Sequence, residues 1–464
     1  MREIFRFWGF GREAWEELVG PGKIIQPLPP GPLETKFGRI LFAEEALDLI
    51  GDFRDKAVDG ITAYVRLSPN PPKGGRVIAR LETADRSSSI PLITLDSEGN
   101  FHFHFDVDET IEFIQQEKYL KRRSPFYFKL GLSPDTFPAA ARRIVLSSFR
   151  FSRTCLQNFL SRPPFPAPFK DLSVDLWRFL LREIIRRAAG SRFQPFPLWP
   201  EGKRYAVVLT HDVDSEWGFK NPTGIEAFRE AEESKGLRSA WLIVSRHESV
   251  GRPTLLELLD SGHEIGFHST YHDHRIAYLC EVEIERQLAL AGRFLAEFNC
   301  VGFRSPGFHR SESLFRLLDP IIQYDMTLHD SYEDLTSPTP LFEGCSTCFP
   351  YRIQETNILE IPTTLTEDIT LEMRGISPSG AFECQRNLLA EIRKRQGVAN
   401  LLTHPEPHLS ARPEWFHSYD LLLREIAQDR SAWVALPREL CRWWNDRERE
   451  IDRAWRKQNV SATV

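Results

Sequence analysis

The rhythm of apolar and polar positions changes near residue 200. Before it, short apolar runs at 61–67, 76–81 and 90–95 are parted by turn-forming stretches such as Pro69-Asn-Pro-Pro-Lys-Gly-Gly75, which predicts short strands. Residues 101–105 alternate strictly, placing Phe101, Phe103 and Phe105 on one face and His102 and His104 on the other. Helical spacing follows at 106–122 and 137–160, and again at 171–189, where Leu172, Leu176, Phe179, Leu180 and Ile184 form one stripe. Beyond residue 200, apolar strand runs at 205–209, 240–244, 264–267, 300–303, 321–324, 358–361, 399–403 and 432–436 alternate with helical stretches at 224–235, 254–259, 281–298, 313–318, 381–395 and 415–428. Such alternation predicts an α/β fold, a distorted (β/α)7–8 barrel, with a doubly wound open sheet as the alternative. The expected organisation is an α+β domain over 1–165, a proline-rich linker and connecting helix over 166–200, the barrel over 201–445, and a charged tail over 446–464.

Composition narrows the partners. Across 464 residues, 41% hydrophobic and 27% charged residues describe a globular chain, and a net charge of −6 implies no uniformly basic surface, so nucleic acid is not the expected partner. No stretch approaches the ~20 apolar residues of a membrane span. The first twelve residues lack a secretory pattern, so a cytoplasmic protein is expected. Seven cysteines, an odd number, suggest reduced thiols, and Cys345-Ser-Thr-Cys348 reads as two half-buried thiols rather than a metal knuckle. His102 and His104 read as a solvated strand face.

The chemistry collects where strands end. The run Tyr205-Ala-Val-Val-Leu209 breaks into Thr210-His-Asp-Val-Asp214, and carboxylates there are costly unless paired, metal-bound or used. Capping of the next helix is the structural alternative. After 264–267 comes His268-Ser-Thr-Tyr-His272, two histidines that share a face if the segment makes a helical turn. With Asp214 they compose a site with an open position for zinc or a similar ion. Phe303-Arg-Ser-Pro-Gly307 offers the fork of Arg304 for a carboxylate and, at Gly307, an unobstructed N–H for an oxyanion. Leu402-Thr-His404 ends a later strand, and His404 is a candidate general acid whose protonation Asp325, after Tyr324, would set. His274, His408 and Trp415 carry no comparable argument.

These five pieces, in this order, resemble the polysaccharide deacetylase family (NodB-homology domain, carbohydrate esterase family 4) over about residues 200–440. The resemblance implies a metal site of Asp214, His268 and His272, holding Zn2+ first, with Co2+, Ni2+ or Mn2+ as substitutes. It also implies Asp212 as base, Arg304 as its holder, Gly307 as oxyanion donor, and His404 as acid with Asp325. The common family pattern has adjacent aspartates; here they stand as Asp212-Val213-Asp214, the D-V-D variant, which leaves exchange of their roles open. The implied function is removal of N-acetyl groups from an amino sugar or glycan precursor, in surface polysaccharide biosynthesis. An amidase acting on a non-sugar C–N bond and a silent carbohydrate-binding barrel are the alternatives. A D-x-D phosphohydrolase is disfavoured, because Ser215 and Glu216 follow where that chemistry wants a glycine. The resemblance says nothing of the first domain.

Overall fold

Nine consecutive buried residues form the strand Tyr205–Val213, a burial pattern that belongs to a strand covered on both faces. The computed structural model describes residues 1–19, 23–25, 33–50, 54–58, 61–67, 75–83, 88–120, 173–190, 194–220, 224–329, 332–333, 342–373 and 375–457. The helix expected at 137–160 and the proline-rich stretch 161–169 lie outside them. One edge of Tyr205–Val213 pairs in parallel with Val398–Thr403, from Ala206 opposite Val398 to His211 opposite Thr403. Its other edge meets Ala432–Val434 first and Ala240–Ile243 further on. Parallel pairing continues through Glu264–Phe267, Gly302–Phe303, Tyr324–Asp325 and Leu359–Glu360, and an antiparallel strand, Tyr351–Arg352, ends the path. Helices Glu248–Asp260, Glu281–Glu297, Glu312–Leu318, Pro378–Arg395 and Pro413–Gln428 lie between these strands in sequence. This is an α/β fold.

The expected closed barrel is not formed; the strand path among the described residues is open. Closure would require Leu359–Glu360 to pair with Val398–Thr403. Pro362 follows that short strand and has no N–H to give a ladder. The seam is stitched instead by an isolated bridge, Leu365 to Leu401, and by side chains. Asn400 Nδ2 donates to Ile361 O at 3.0 Å, and Thr364 Oγ1 both donates to Val398 O at 2.8 Å and accepts from Asn400 N at 2.8 Å.

The first part of the chain holds a six-stranded sheet in the order Ile24–Ile25, Phe101–Phe103, Ser89–Leu95, Arg76–Thr83, Glu34–Phe42, Ile61–Leu67. His104 is buried against Thr94 Oγ1 at 2.9 Å, so the solvated face expected for it is not there; His102 is half-buried beside Asp96. Helix Ser173–Ala189 joins the two sheets. Its Trp177 packs on Phe42 and Phe105, while Asp175 accepts from Thr347 Oγ1 at 2.6 Å and Cys348 N at 3.1 Å. Buried apolar residues from both parts form one contiguous core. Cys345 and Cys348 are fully buried in it rather than half-buried. Helix Pro437–Lys457 runs through most of the expected tail and buries Ile451 and Trp455, with Trp455 Nε1 donating to Phe10 O at 3.0 Å. No helix among the described residues is long and apolar enough to cross a membrane.

Candidate active site

Asp214 lies one residue past the central strand, and His268 one residue past Glu264–Phe267, so parallel pairing through Ala240–Ile243 brings both to the same sheet edge. The ligand atoms of Asp214, His268 and His272 lie within 4.8 Å of one another. Asp214 Oδ1 is 3.3 Å from His268 Nε2 and 3.1 Å from His272 Nε2. It is also buried with no hydrogen-bond partner of its own. The loop from His268 to His272 makes bends, not the helical turn the spacing suggested; Ser269 stands at φ 69. Ser245 N donates to Ser269 O at 3.1 Å and Thr270 Oγ1 to Gln287 O at 2.7 Å, which holds the bends in place.

The tautomer of His268 follows from its neighbour. Its Nδ1 lies 2.8 Å from Arg304 O, and a carbonyl can only accept, so Nδ1 carries a hydrogen and Nε2 is the nitrogen turned toward Asp214. This is the arrangement of a metal-ligating imidazole. Burial pushes the Asp214 carboxyl upward, yet the charges of His272 and His404 more than reverse this and hold it well below the usual carboxylate range. Three convergent, partly desolvated donors with one orphaned oxygen fit a divalent cation.

Asp212 lies beside this triangle, its Oδ2 3.7 Å from His268 Nε2. Arg304, fully buried, donates through Nη1 to Asp212 Oδ1 at 2.8 Å, through Nη2 to Thr210 Oγ1 at 2.9 Å, and through Nε to Met326 O at 3.0 Å. The guanidinium therefore fixes the carboxylate against the strand end. His404 follows Val398–Thr403 and lies close enough for the charges of Asp214 and Asp212 to act on it.

The carboxylate that holds His404 is Asp368, not Asp325. His404 Nδ1 is 2.6 Å from Asp368 Oδ1, and Asp368 Oδ2 accepts from His404 N at 2.9 Å and from Ser410 Oγ. Burial works against charge on His404, but Asp368 and then Asp214 outweigh it and lift the imidazole to about 10. Asp325 is occupied elsewhere: Thr327 donates to it through Oγ1 at 2.8 Å and through its backbone N at 2.9 Å. Directly opposite Asp325 in the ladder stands Glu360, and burial raises both carboxyls. Gly307 is exposed at φ 62, and its turn abuts His274, to whose Nδ1 an added Cβ would come within 2.3 Å.

Two residues with evident roles in the geometry were missed from the sequence. Asp368 lies eight residues past the strand Leu359–Glu360, at the start of helix Asp368–Met373, where no strand end marks it in the sequence. Glu406, buried, accepts from Ser215 N at 3.0 Å and Ser215 Oγ at 2.9 Å; burial, then the charge of Asp214, raises it to about 7. Its signal was its place two residues beyond His404.

No protein-family model matches the sequence, and no curated protein matches it. Among solved structures, the chain is similar to a Mycobacterium smegmatis protein described as a polysaccharide deacetylase, at 20% identity over 54% of this chain and 94% of that one, with a TM-score of 0.46. It is similar to another so described from Pseudomonas aeruginosa PAO1, at 16% identity over 54% and 94% of the two chains, TM-score 0.44. An allantoinase gives 16% identity over 55% and 95%, TM-score 0.44.

Proposed function

We propose that the chain is a metal-dependent hydrolase that removes the N-acetyl group from an amino sugar or glycan precursor. What carries the reading is the convergence of Asp214, His268 and His272 beside a carboxylate, Asp212, that Arg304 clamps. Those three residues would hold a divalent cation, Zn2+ first, which when bound supplies Lewis acidity toward the amide carbonyl and acidifies water. Asp212 would take the proton of the attacking water, with Arg304 keeping its carboxylate aimed. His404, cationic through its contact with Asp368, would give its Nε2 proton to the departing amine nitrogen; an amine leaves poorly without one. The Gly307 N–H would receive the oxyanion. Asp325 would act beneath the site through Thr327, whose hydroxyl accepts from Ser305 N at 2.9 Å and so steadies the Arg304 segment. The sugar half of the proposal rests on the resemblance of His268-Ser-Thr-Tyr-His272, Phe303-Arg-Ser-Pro-Gly307 and Leu402-Thr-His404 to the deacetylase motifs.

The test is acetate release from a panel of N-acetylated sugars and nucleotide sugars, beside simple non-sugar amides. Release from a sugar, abolished in Asp212→Asn while metal content stays at the wild-type level, is the expected result. Turnover of the non-sugar amides alone would overturn the substrate class. Bound metal without turnover of either class would overturn the hydrolase.

A further inference from the structure

The first domain reaches the candidate active site through one buried ion pair. Glu117 lies just past helix Val107–Gln115, at φ 50, with its side chain 6% exposed. Both of its carboxylate oxygens meet Arg310, Nε at 2.7 Å and Nη2 on the second oxygen, and the Arg310 side chain is 4% exposed. Arg310 turns Nη1 onto the carbonyl of Phe308 at 2.8 Å. That carbonyl belongs to an unusual turn. Gly307 and Phe308 are consecutive left-handed residues, at φ 62 and φ 57, and Phe308 has a side chain that disfavours the conformation. The turn sits directly against His274, whose ring centroid is 4.7 Å from that of His272.

Such a conformation persists only where its surroundings over-determine it. Here the constraint runs from Glu117 to Arg310 to Phe308 O. The stretch around Glu117 is itself fixed on the second sheet: Tyr351 Oη donates to Gln115 O at 3.0 Å, Gln116 Nε2 to Arg352 O at 3.0 Å, and Tyr119 Oη to Gly344 O at 2.7 Å. A buried ion pair contributes little net stability compared with an apolar replacement. Its geometric consequence is larger, because a bidentate fork fixes both the position and the plane of the guanidinium.

We infer that Glu117 is a positioning residue for the hydrolase site: by locking Arg310 it holds the Pro306–Phe308 turn, and with it the Gly307 N–H, in place beside His274 and His272. The first domain is then a working part of the catalytic unit. The inference rests on the proposed hydrolase for its kinetic consequence, though not for its structural one.

The experiment compares the full-length wild type with Glu117→Gln, Arg310→Lys and the double variant. Each variant leaves a buried charge poorly paired and is expected to melt at a lower temperature, but amide hydrogen exchange across residues 303–311 is expected to accelerate about tenfold or more beyond any change in the rest of the chain. On a turned-over N-acetyl sugar, kcat is expected to fall about tenfold at unchanged KM, and the double variant to be no worse than the worse single one. Unchanged exchange in 303–311 would overturn the inference, as would faster exchange spread evenly over the molecule, which marks a merely structural pair. Accelerated exchange with unchanged kcat would overturn it too. If the wild type turns over no substrate, the proposed function fails and the exchange measurement alone decides the positioning role.

Discussion

Arg304 places its guanidinium contacts inside the protein, on Asp212, Thr210, Met326 and, at 3.4 Å, Thr363 Oγ1. A lysine cannot reproduce that planar fork and would leave Asp212 buried beside an ill-placed charge. Arg304→Lys should therefore lower kcat/KM by about 100-fold or more and cost about 3 kcal/mol of stability, read from steady-state kinetics and urea unfolding. Asp368 offers a pH test. His404 is lifted to about 10, so it stays protonated through neutrality, and a reaction needing that proton loses rate as pH rises through the raised value. In Asp368→Asn the alkaline limb of kcat/KM should move to lower pH by roughly 1–3 units. An unmoved limb would show that His404 is not the acid. At this scale the sequence was informative where a motif and a strand end coincide, as at Asp214, His268 and Arg304. It failed at Asp368, because a contact between residues 36 apart in the chain, across an open seam, leaves no local pattern. Asp325 was singled out as a carboxylate at a strand end, and its own neighbours, Thr327 and Glu360, take it elsewhere.

Among the elements, the central strand was legible through its apolar run 205–209, but it continues to Val213, because Thr210, His211 and Asp212 are buried as well. Outer strands such as Gly302–Phe303 and Tyr324–Asp325 are two residues long, and their ends are set by parallel neighbours rather than by local hydrophobicity. Helix Glu248–Asp260 begins six residues before the expected start at 254, because Pro253 reads as a boundary yet sits inside it. Gly302 shows how tightly the short strands are fitted. An added Cβ would lie 2.0 Å from Tyr324 Cζ, and the Tyr324 hydroxyl donates to buried Glu264 at 2.7 Å. Gly302→Ala must displace that ring and break its bond, with an expected loss of about 3 kcal/mol by urea unfolding. A change below about 0.5 kcal/mol would contradict this packing.

The molecule as a whole departs most from its sequence reading in how its parts join. A connecting helix and a charged tail were expected; helix Ser173–Ala189 is buried along most of its length, and helix Pro437–Lys457 carries Arg447 Nη2 to Phe7 O at 2.7 Å and Trp455 to Phe10 O. The charges of residues 446–457 masked an apolar stripe, Cys441, Trp444, Ile451 and Trp455, whose spacing follows the helical repeat. Removing Trp455 takes away both packing and a donor to a buried carbonyl. Trp455→Ala should cost about 3–5 kcal/mol and lower the melting temperature of the whole chain in one transition, since the two sheets share a core. Two separate calorimetric transitions in the wild type would contradict that shared core.

The central claim is that Asp214, His268 and His272 form a metal site. Metal content, measured on protein purified without added metal and again after reconstitution with Zn2+, tests it most directly. The account predicts one tightly held equivalent in the wild type, retained in Asp212→Asn and lost in His268→Ala, with all three proteins folded by circular dichroism. No bound equivalent in the wild type after reconstitution, or an equivalent that survives His268→Ala undiminished, would contradict it.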